Sequence, residues 1–430
     1  MIEICGPYIA NGSIEVPGDK SISHRSIILS SITKDKVAID NFLFSDDCLN
    51  TLDILKKTGV KYQINKNSIL MEGCGISGLV EPEEILYVGN SGTSIRLLSG
   101  LLCGANFMSI LSGDSSINSR PMERIIKPLT DMGAKIFGRQ NNKNAPIVIF
   151  GGSRLKGLKH EINIASAQVK SCLIIASLFA DAPTEIILPQ VTRDHTERML
   201  EYFGAEISYD GKYTKVYPGR TLKGKDIYIP GDFSSAAFFI IAGIILEKSK
   251  ILIKNVGINP TRSYLINILK KMGANIEVKN IRIKNNEKIA DIEASSSRLT
   301  ASDIDEKIIP NIIDEIPILC VAAAFAQGIT KIRGAKELRL KESDRIKSIS
   351  TEFKKAGIRV DEFPDGLEIH GSQNLKINSS SLKSYGDHRI AMSLAILALK
   401  GDRKITISGI RCINTSFPGF KDKLFSLISH

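Results

Sequence analysis

Two hydrophobic patterns alternate along this chain. The first is an apolar, small-residue-rich run with helical spacing. It occurs six times, at 26–31, 95–103, 169–179, 236–246, 316–326 and 390–399. Each run is followed by a short β-branched stretch that predicts a strand: Val37-Ala38-Ile39, Met108–Leu111, Glu185–Leu188, Ile251-Leu252-Ile253, Thr330-Lys331-Ile332 and Ile405-Thr406-Ile407. The second pattern is a half-polar helix that stops at a glycine. It ends at Gly59, Gly133, Gly204, Gly273 and Gly357, each placed to close a helix in the left-handed conformation. Alternating stretches such as Lys135-Ile136-Phe137 and Asn275–Val278 follow and predict further strands.

The stop glycines recur about every 70 to 85 residues, the mark of a structural repeat. Six helix–strand–helix–strands units are therefore predicted. A longer echo links Val16-Pro17-Gly18-Asp19 with Ile229-Pro230-Gly231-Asp232, about three repeats apart. It reads as two chain crossings, near 17–20 and 229–232, between two three-repeat domains. Residues 1–18 with 231–430 form one, and 19–230 the other. Two such domains would form a hinged cleft, whereas long mixed α/β units without capping repeats argue against a solenoid.

The bulk composition leaves this picture in place. The chain has 430 residues, 43% hydrophobic and 24% charged, too long for one ordinary core. No apolar stretch is long enough to span a membrane and no signal peptide is evident, so a cytoplasmic, membrane-free protein is expected. The seven cysteines are odd in number and form no Cys-x-x-Cys pair, which argues against a disulfide framework or a zinc site. The net charge of +11 permits a nucleic-acid binder, but aromatics are 6%, tryptophan is absent and no dense basic run occurs. A field that draws small anions is the better reading.

Six segments place a cation in a polar stretch just before an apolar helix: Pro17–Arg25, Gly89–Arg96, Ser119–Pro121, Ser166–Lys170, Lys341–Arg345 and Gly386–Arg389. Helix N-termini present unpaired N–H groups and the positive dipole end, and an added Lys or Arg makes a strong phosphate or carboxylate site. Six in one chain suggest a cavity for polyanionic small molecules. Ser21 and Arg25 share a helix face, as do Lys20 and His24. Asn90–Thr93 could form a backbone nest for an anion. The mixed charges of 341–345 read locally as a solvated face, and Asp314 and Glu315 as helix caps, although a carboxylate facing an anion cavity could serve as a base. No metal-ligand spacing and no glycine-rich nucleotide motif occurs.

Taken together, Pro17–Arg25, Gly89–Arg96, Ser119–Met122, Ser166–Ser171, Lys341–Arg345 and Gly386–Met392 resemble the EPSP synthase family, the 3-phosphoshikimate 1-carboxyvinyltransferases. The similarity runs along essentially the whole chain. The resemblance implies an α/β fold, a two-domain inside-out α/β barrel of six βαβαββ units, three per domain. It implies transfer of the enolpyruvyl group of phosphoenolpyruvate to the 5-hydroxyl of shikimate-3-phosphate, with release of phosphate, through a tetrahedral intermediate. It also implies a monomer needing no cofactor or metal, with no nucleic-acid partner.

By the same resemblance, Lys20, Ser21, Arg25, Ser166, Ala167, Gln168, Arg193, Asp314 and Lys341 line the shikimate-3-phosphate site. Lys20, Asn90, Gly92, Arg120, Gln168, Arg345, His388 and Arg389 serve phosphoenolpyruvate. Asp314 takes the 5-hydroxyl proton, and Glu342 with Lys20 handles the methylene protons. The chain departs from the common pattern at Ala167, at Ser91 and Ser94, and at Thr415. The Ala167 form with Arg193 resembles the branch that tolerates glyphosate. The sister family of UDP-N-acetylglucosamine enolpyruvyl transferases usually carries a cysteine in the loop corresponding to Gly113–Ser119, which has none here. A non-catalytic basic protein that binds anions or nucleic acid is the reading from another class.

Overall fold

The computed structural model describes all 430 residues. The chain divides into two compact units. A terminal unit holds Met1–Pro17, Pro230–Ile283 and Lys288–His430, and an internal unit holds Gly18–Ile229 with Lys284–Glu287.

The six apolar runs are helices: Lys20–Ser31, Gly92–Leu102 and Ala167–Ser177 in the internal unit, and Phe233–Ile245, Ile316–Ala324 and His388–Ala398 in the terminal unit. They are buried nearly all round, as apolar helices must be when they lack a polar face. In the terminal unit the three pack against one another. In the internal unit Gly92–Leu102 packs against both of the others. Their starts are capped by side chains that the sequence supplies in place. Asp19, Ser91, Ser166, Asp232 and Asp387 each accept a hydrogen bond from a first-turn backbone N–H. Cys172 and Cys320 lie within these helices, fully buried, and burial pushes both thiols up.

The strands form six separate sheets, three to each unit. Each of the five helix-stop glycines has positive φ, from 83° to 95°. In five of the six sheets an antiparallel hairpin runs beside a parallel pair; in the first repeat Lys36–Asp40 pairs in parallel with Ile227–Tyr228 and antiparallel with Ser68–Glu72. The N-terminal strands belong to the end of the chain. Ile2–Cys5 pairs with Lys404–Ser408, while Ile9–Glu15 lies between Lys250–Gly257 and Ile428–Ser429.

One feature differs from the expected division. The hairpin Asn275–Lys284 and Glu287–Ser295 is longer than its counterparts, and its tip, Lys284–Glu287, falls in the internal unit. The cause is polar pairing. Asn285 bonds the backbone of Tyr228, Asn286 bonds Arg198, and Glu287 lies 2.7 Å from Nδ1 of His195. No periodicity signals such pairing.

Candidate active site

In the internal unit the first helix opens on Lys20, whose ammonium pairs with Asp47 in the first turn of the helix Asp46–Lys57. One turn later Arg25 is buried. Its Nη1 donates to the Ser21 carbonyl at 2.8 Å, Nε to Thr196 Oγ1 at 2.7 Å, and Nη2 to Ser171 Oγ at 2.8 Å. Burial pushes its pKa down to about 10, against the pull of Glu197. Ser21 sits beside it, half-buried, and Arg193 is half-buried in the loop before the helix His195–Tyr202.

His24, on the same face as Lys20, is wholly buried and meets Thr51 Oγ1 at 2.9 Å. Burial, then the charges of Lys20 and Arg25, hold its pKa well below the usual histidine value. Above pH ~6.5 it is neutral in both folded and unfolded states and costs nothing. Below that, the unfolded chain takes a proton that the native chain refuses, so stability falls as pH falls, by up to about 1.4 kcal/mol per unit until the folded pKa is reached. His24→Gln should flatten this part of the stability curve. Parallel urea-derived curves for variant and parent between pH 7 and 5 would contradict it.

Gly92 begins the second buried helix, capped by Ser91. A Cβ on Gly92 would come within 2.8 Å of Arg96 Nη1 and 3.1 Å of Arg120 Nη1, so glycine is what lets two guanidinium groups close on this helix start. Arg120 is held by Asn90 Oδ1 at 2.7 Å, and Asn90 in turn donates to Asp114. Asn90 thus orients an arginine rather than forming a bare nest. Arg96 turns to Gln168 Oε1 at 2.5 Å, and Gln168 Nε2 donates to Thr93 at 3.0 Å. Ser166, Ala167 and Gln168 are half-buried at the start of the third helix. Asn90, Gly92, Arg120 and Gln168 therefore stand together.

Behind Arg25, Lys170, the cation of the Ser166–Lys170 segment, is not offered to an anion but is taken up by a buried carboxylate. Lys170 and Glu197 meet at 2.5 Å with neither side chain exposed. Removing one partner of a buried pair strands the other's charge, at a cost of about 3–5 kcal/mol, whereas apolar replacement of both is often neutral. Lys170→Met should therefore lose several kcal/mol in urea unfolding, and the double replacement with Glu197→Met should regain most of it. Equal stability of single and double variants would count against the pairing.

In the terminal unit the mixed-charge segment is not a solvated face. Arg345, 1% exposed, begins the helix Arg345–Lys355 and spreads over three carboxylates. Nε lies 2.8 Å from Asp387, Nη2 2.5 Å from Glu342 and Nη1 3.4 Å from Asp314. Burial opposes its charge, but Asp387, Glu342 and Asp314 outweigh this and push its pKa above the usual arginine value. Arg389 donates to the Asp314 carbonyl at 3.1 Å and lies 3.6 Å from its carboxylate.

Asp314 and Glu315 do not cap the helix Ile316–Ala324: no side chain accepts from its first turn. Glu315 is instead buried against Ser234 and Arg262. Lys341 and Glu342 are half-buried between the turn Lys336–Leu340 and the next helix. His388 opens its helix beside Arg389, and its Nδ1 lies 3.4 Å from Thr415 Oγ1.

These features define a class: a two-unit α/β protein whose buried helices begin beside Lys and Arg side chains, with carboxylates set among guanidinium groups in the terminal unit. The comparisons make this specific. The family model for EPSP synthase (3-phosphoshikimate 1-carboxyvinyltransferase) matches residues 6–424. The 3-phosphoshikimate 1-carboxyvinyltransferase of Citrifermentans bemidjiense is 46% identical over 417 residues, covering 97% of this chain and 96% of that protein. The enzyme of the same name from Petrotoga mobilis is 47% identical over 424 residues, covering 98% of each. The solved EPSP synthase of Acinetobacter baumannii superposes with a TM-score of 0.88 at 41% identity, covering 99% of each chain. The chain belongs to the EPSP synthase family.

Proposed function

We propose that this chain is a 3-phosphoshikimate 1-carboxyvinyltransferase of aromatic amino-acid biosynthesis, moving the enolpyruvyl group of phosphoenolpyruvate to the 5-hydroxyl of shikimate-3-phosphate. The observation that carries the mechanism is the cluster of Asp314, Glu342, Arg345 and Arg389. A proton delivered to the methylene carbon makes the adjacent carbon cation-like. The 5-hydroxyl attacks there and gives up its proton, forming a tetrahedral adduct. Loss of a methyl proton with phosphate then restores the double bond. Glu342, with Lys20, exchanges the carbon-bound proton, and Asp314 accepts the hydroxyl proton.

The remaining roles follow the chemistry of the groups. Arg120, Arg345, Arg389, Lys20 and His388, with Asn90, Gly92 and Gln168, offset and orient the phosphate and carboxylate of phosphoenolpyruvate. Ser21, Arg25, Ser166, Ala167, Gln168, Arg193, Lys341 and Lys20 receive shikimate-3-phosphate. No metal or organic cofactor takes part. We take the protein to act as a monomer in the cytoplasm on free small molecules, with which seven free cysteines agree.

The test is phosphate release from phosphoenolpyruvate with shikimate-3-phosphate, set against UDP-N-acetylglucosamine as acceptor. Release only with the first supports the reading; release only with the UDP-sugar overturns the acceptor. Ala167 further leads us to expect weak glyphosate inhibition at ordinary phosphoenolpyruvate levels. A submicromolar inhibition constant would refute that.

A further inference from the structure

Arg262 belongs to no motif singled out in the sequence, yet it stands against the proposed base. It lies in the turn Asn259–Ser263, where Asn259 Oδ1 accepts from the backbone N–H and hydroxyl of Thr261 and the Asn259 carbonyl accepts from the Arg262 N–H at 2.8 Å. Its side chain is 3% exposed. Nη2 donates to Ser234 Oγ at 2.7 Å and lies 3.4 Å from Asp232 Oδ1. Nη1 lies 3.6 Å from Glu315 Oε1 and 3.8 Å from Asp314 Oδ2. Ser234 Oγ in turn donates a hydrogen bond to Glu315 Oε1, so serine, glutamate and arginine lock one another in place.

The two oxygens of Asp314 face different cations. Oδ1 faces Arg345 at 3.4 Å and Arg389 at 3.6 Å, both assigned above to substrate phosphate or carboxylate. Oδ2 faces Arg262, which is tied to Ser234, Asp232 and Glu315 and is none of the cations assigned above to substrate. A carboxylate flanked on both edges is fixed in direction, and each nearby positive charge favours its ionised form. When the other two guanidinium groups turn to substrate, a third one that does not is what keeps the base ionised and aimed.

We propose that Arg262 is a positioning residue for this reaction, holding the Asp314 carboxylate in the ionised, attack-ready orientation from its buried side. The proposal rests on Asp314 being the proton acceptor. A merely structural Arg262 would tie Asp232 and Glu315 together and leave the pH dependence of turnover untouched.

The experiment compares the full-length parent with Arg262→Gln and Arg262→Lys, measuring kcat, both KM values, the pH profile of kcat and Tm. Loss of the cation raises the pH at which the base protonates. For Arg262→Gln we expect kcat to fall about tenfold, both KM values to stay within about twofold, and the acid limb to move up by about half a pH unit or more. Arg262→Lys should restore part of both effects. A lowered Tm with kcat and the acid limb unmoved overturns the proposal. Should Arg262→Gln fail to fold, Ser234→Ala keeps the buried charge while removing its 2.7 Å anchor. It should lower kcat and move the limb in the same direction, and an unmoved profile overturns the proposal equally. Asp314→Asn, run alongside, separates the two levels of inference. If it retains turnover the base assignment itself fails; if it is inactive while both Arg262 variants behave as the parent, only the role of Arg262 fails.

Discussion

The Asp314→Asn variant is expected to fold normally and lose turnover by about 10²–10⁴-fold. Asparagine matches the shape of aspartate and can still meet Arg389 and Arg345, but it cannot accept a proton from the substrate hydroxyl. The side chain is 14% exposed, and the amide of asparagine is nearly the same size, so the change leaves no cavity. Arg345 keeps Asp387 and Glu342 as counter-charges and Arg262 keeps Glu315, while the partly exposed Arg389 keeps its bond to the backbone carbonyl of residue 314. The loss should therefore fall on kcat, with both KM values and Tm nearly constant. Steady-state phosphate release beside thermal melting measures all four quantities. Turnover above a tenth of the parent's would remove Asp314 as the base. A large drop in Tm would show that its first duty is structural.

Arg345→Met should be damaging in a different way. Here the guanidinium joins Asp387, Glu342 and Asp314, and its removal leaves three acids close together with less positive charge among them. Breaking a buried ion network from one side costs about 3–5 kcal/mol. Asp387 also caps the helix that begins at His388, so movement there shifts Arg389 as well. The expected result is a chain that melts well below the parent and binds phosphoenolpyruvate poorly, with the KM for that substrate raised more than the KM for the acceptor. Arg345→Lys should recover some stability and little binding, because one ammonium cannot span three carboxylates in a fixed fork. A methionine variant with parental Tm and KM would mean that the three carboxylates do not depend on this cation.

What could be read from the residues alone was what local chemistry determines. A glycine that closes a helix and an apolar run buried all round each announce themselves within a few positions. Gly59 and Phe233–Ile245 did so, whereas the capping by Asp19 and Ser166 appears only in the structure. Cations at helix starts were visible for the same reason. Partnerships were not. Arg345 reads as part of a charged, solvated segment because its main partner, Asp387, is 42 residues away on another helix. Glu315 looks like a cap because its position is right for one, yet Ser234, 81 residues away, claims it. Lys170 was visible as a helix-start cation, but its partner Glu197, on a separate helix, is not marked by spacing, so the pairing was missed. Arg262 had no signal at all, since a lone arginine in a polar turn carries no sequence trace of the carboxylates around it.

The way the chain's two ends share sheets bears on how the protein is made. Residues 18–229 leave the ribosome as one contiguous stretch, and only the tip at 284–287 is still to come. The first strands have no such luck. Ile2–Cys5 waits for Lys404–Ser408, and Ile9–Glu15 for Lys250–Gly257 and then Ile428–Ser429. Ile2–Cys5 thus lacks its partner until residues 404–408 are made, an exposed strand edge of the kind that invites aggregation. A ribosome that stalls before residue 404 releases an internal unit near completion with a bare β-strand at its front. Such a product is a substrate for chaperones and proteases rather than half an enzyme, and synthesis through residues 404–408 is what lets the terminal unit close its sheet.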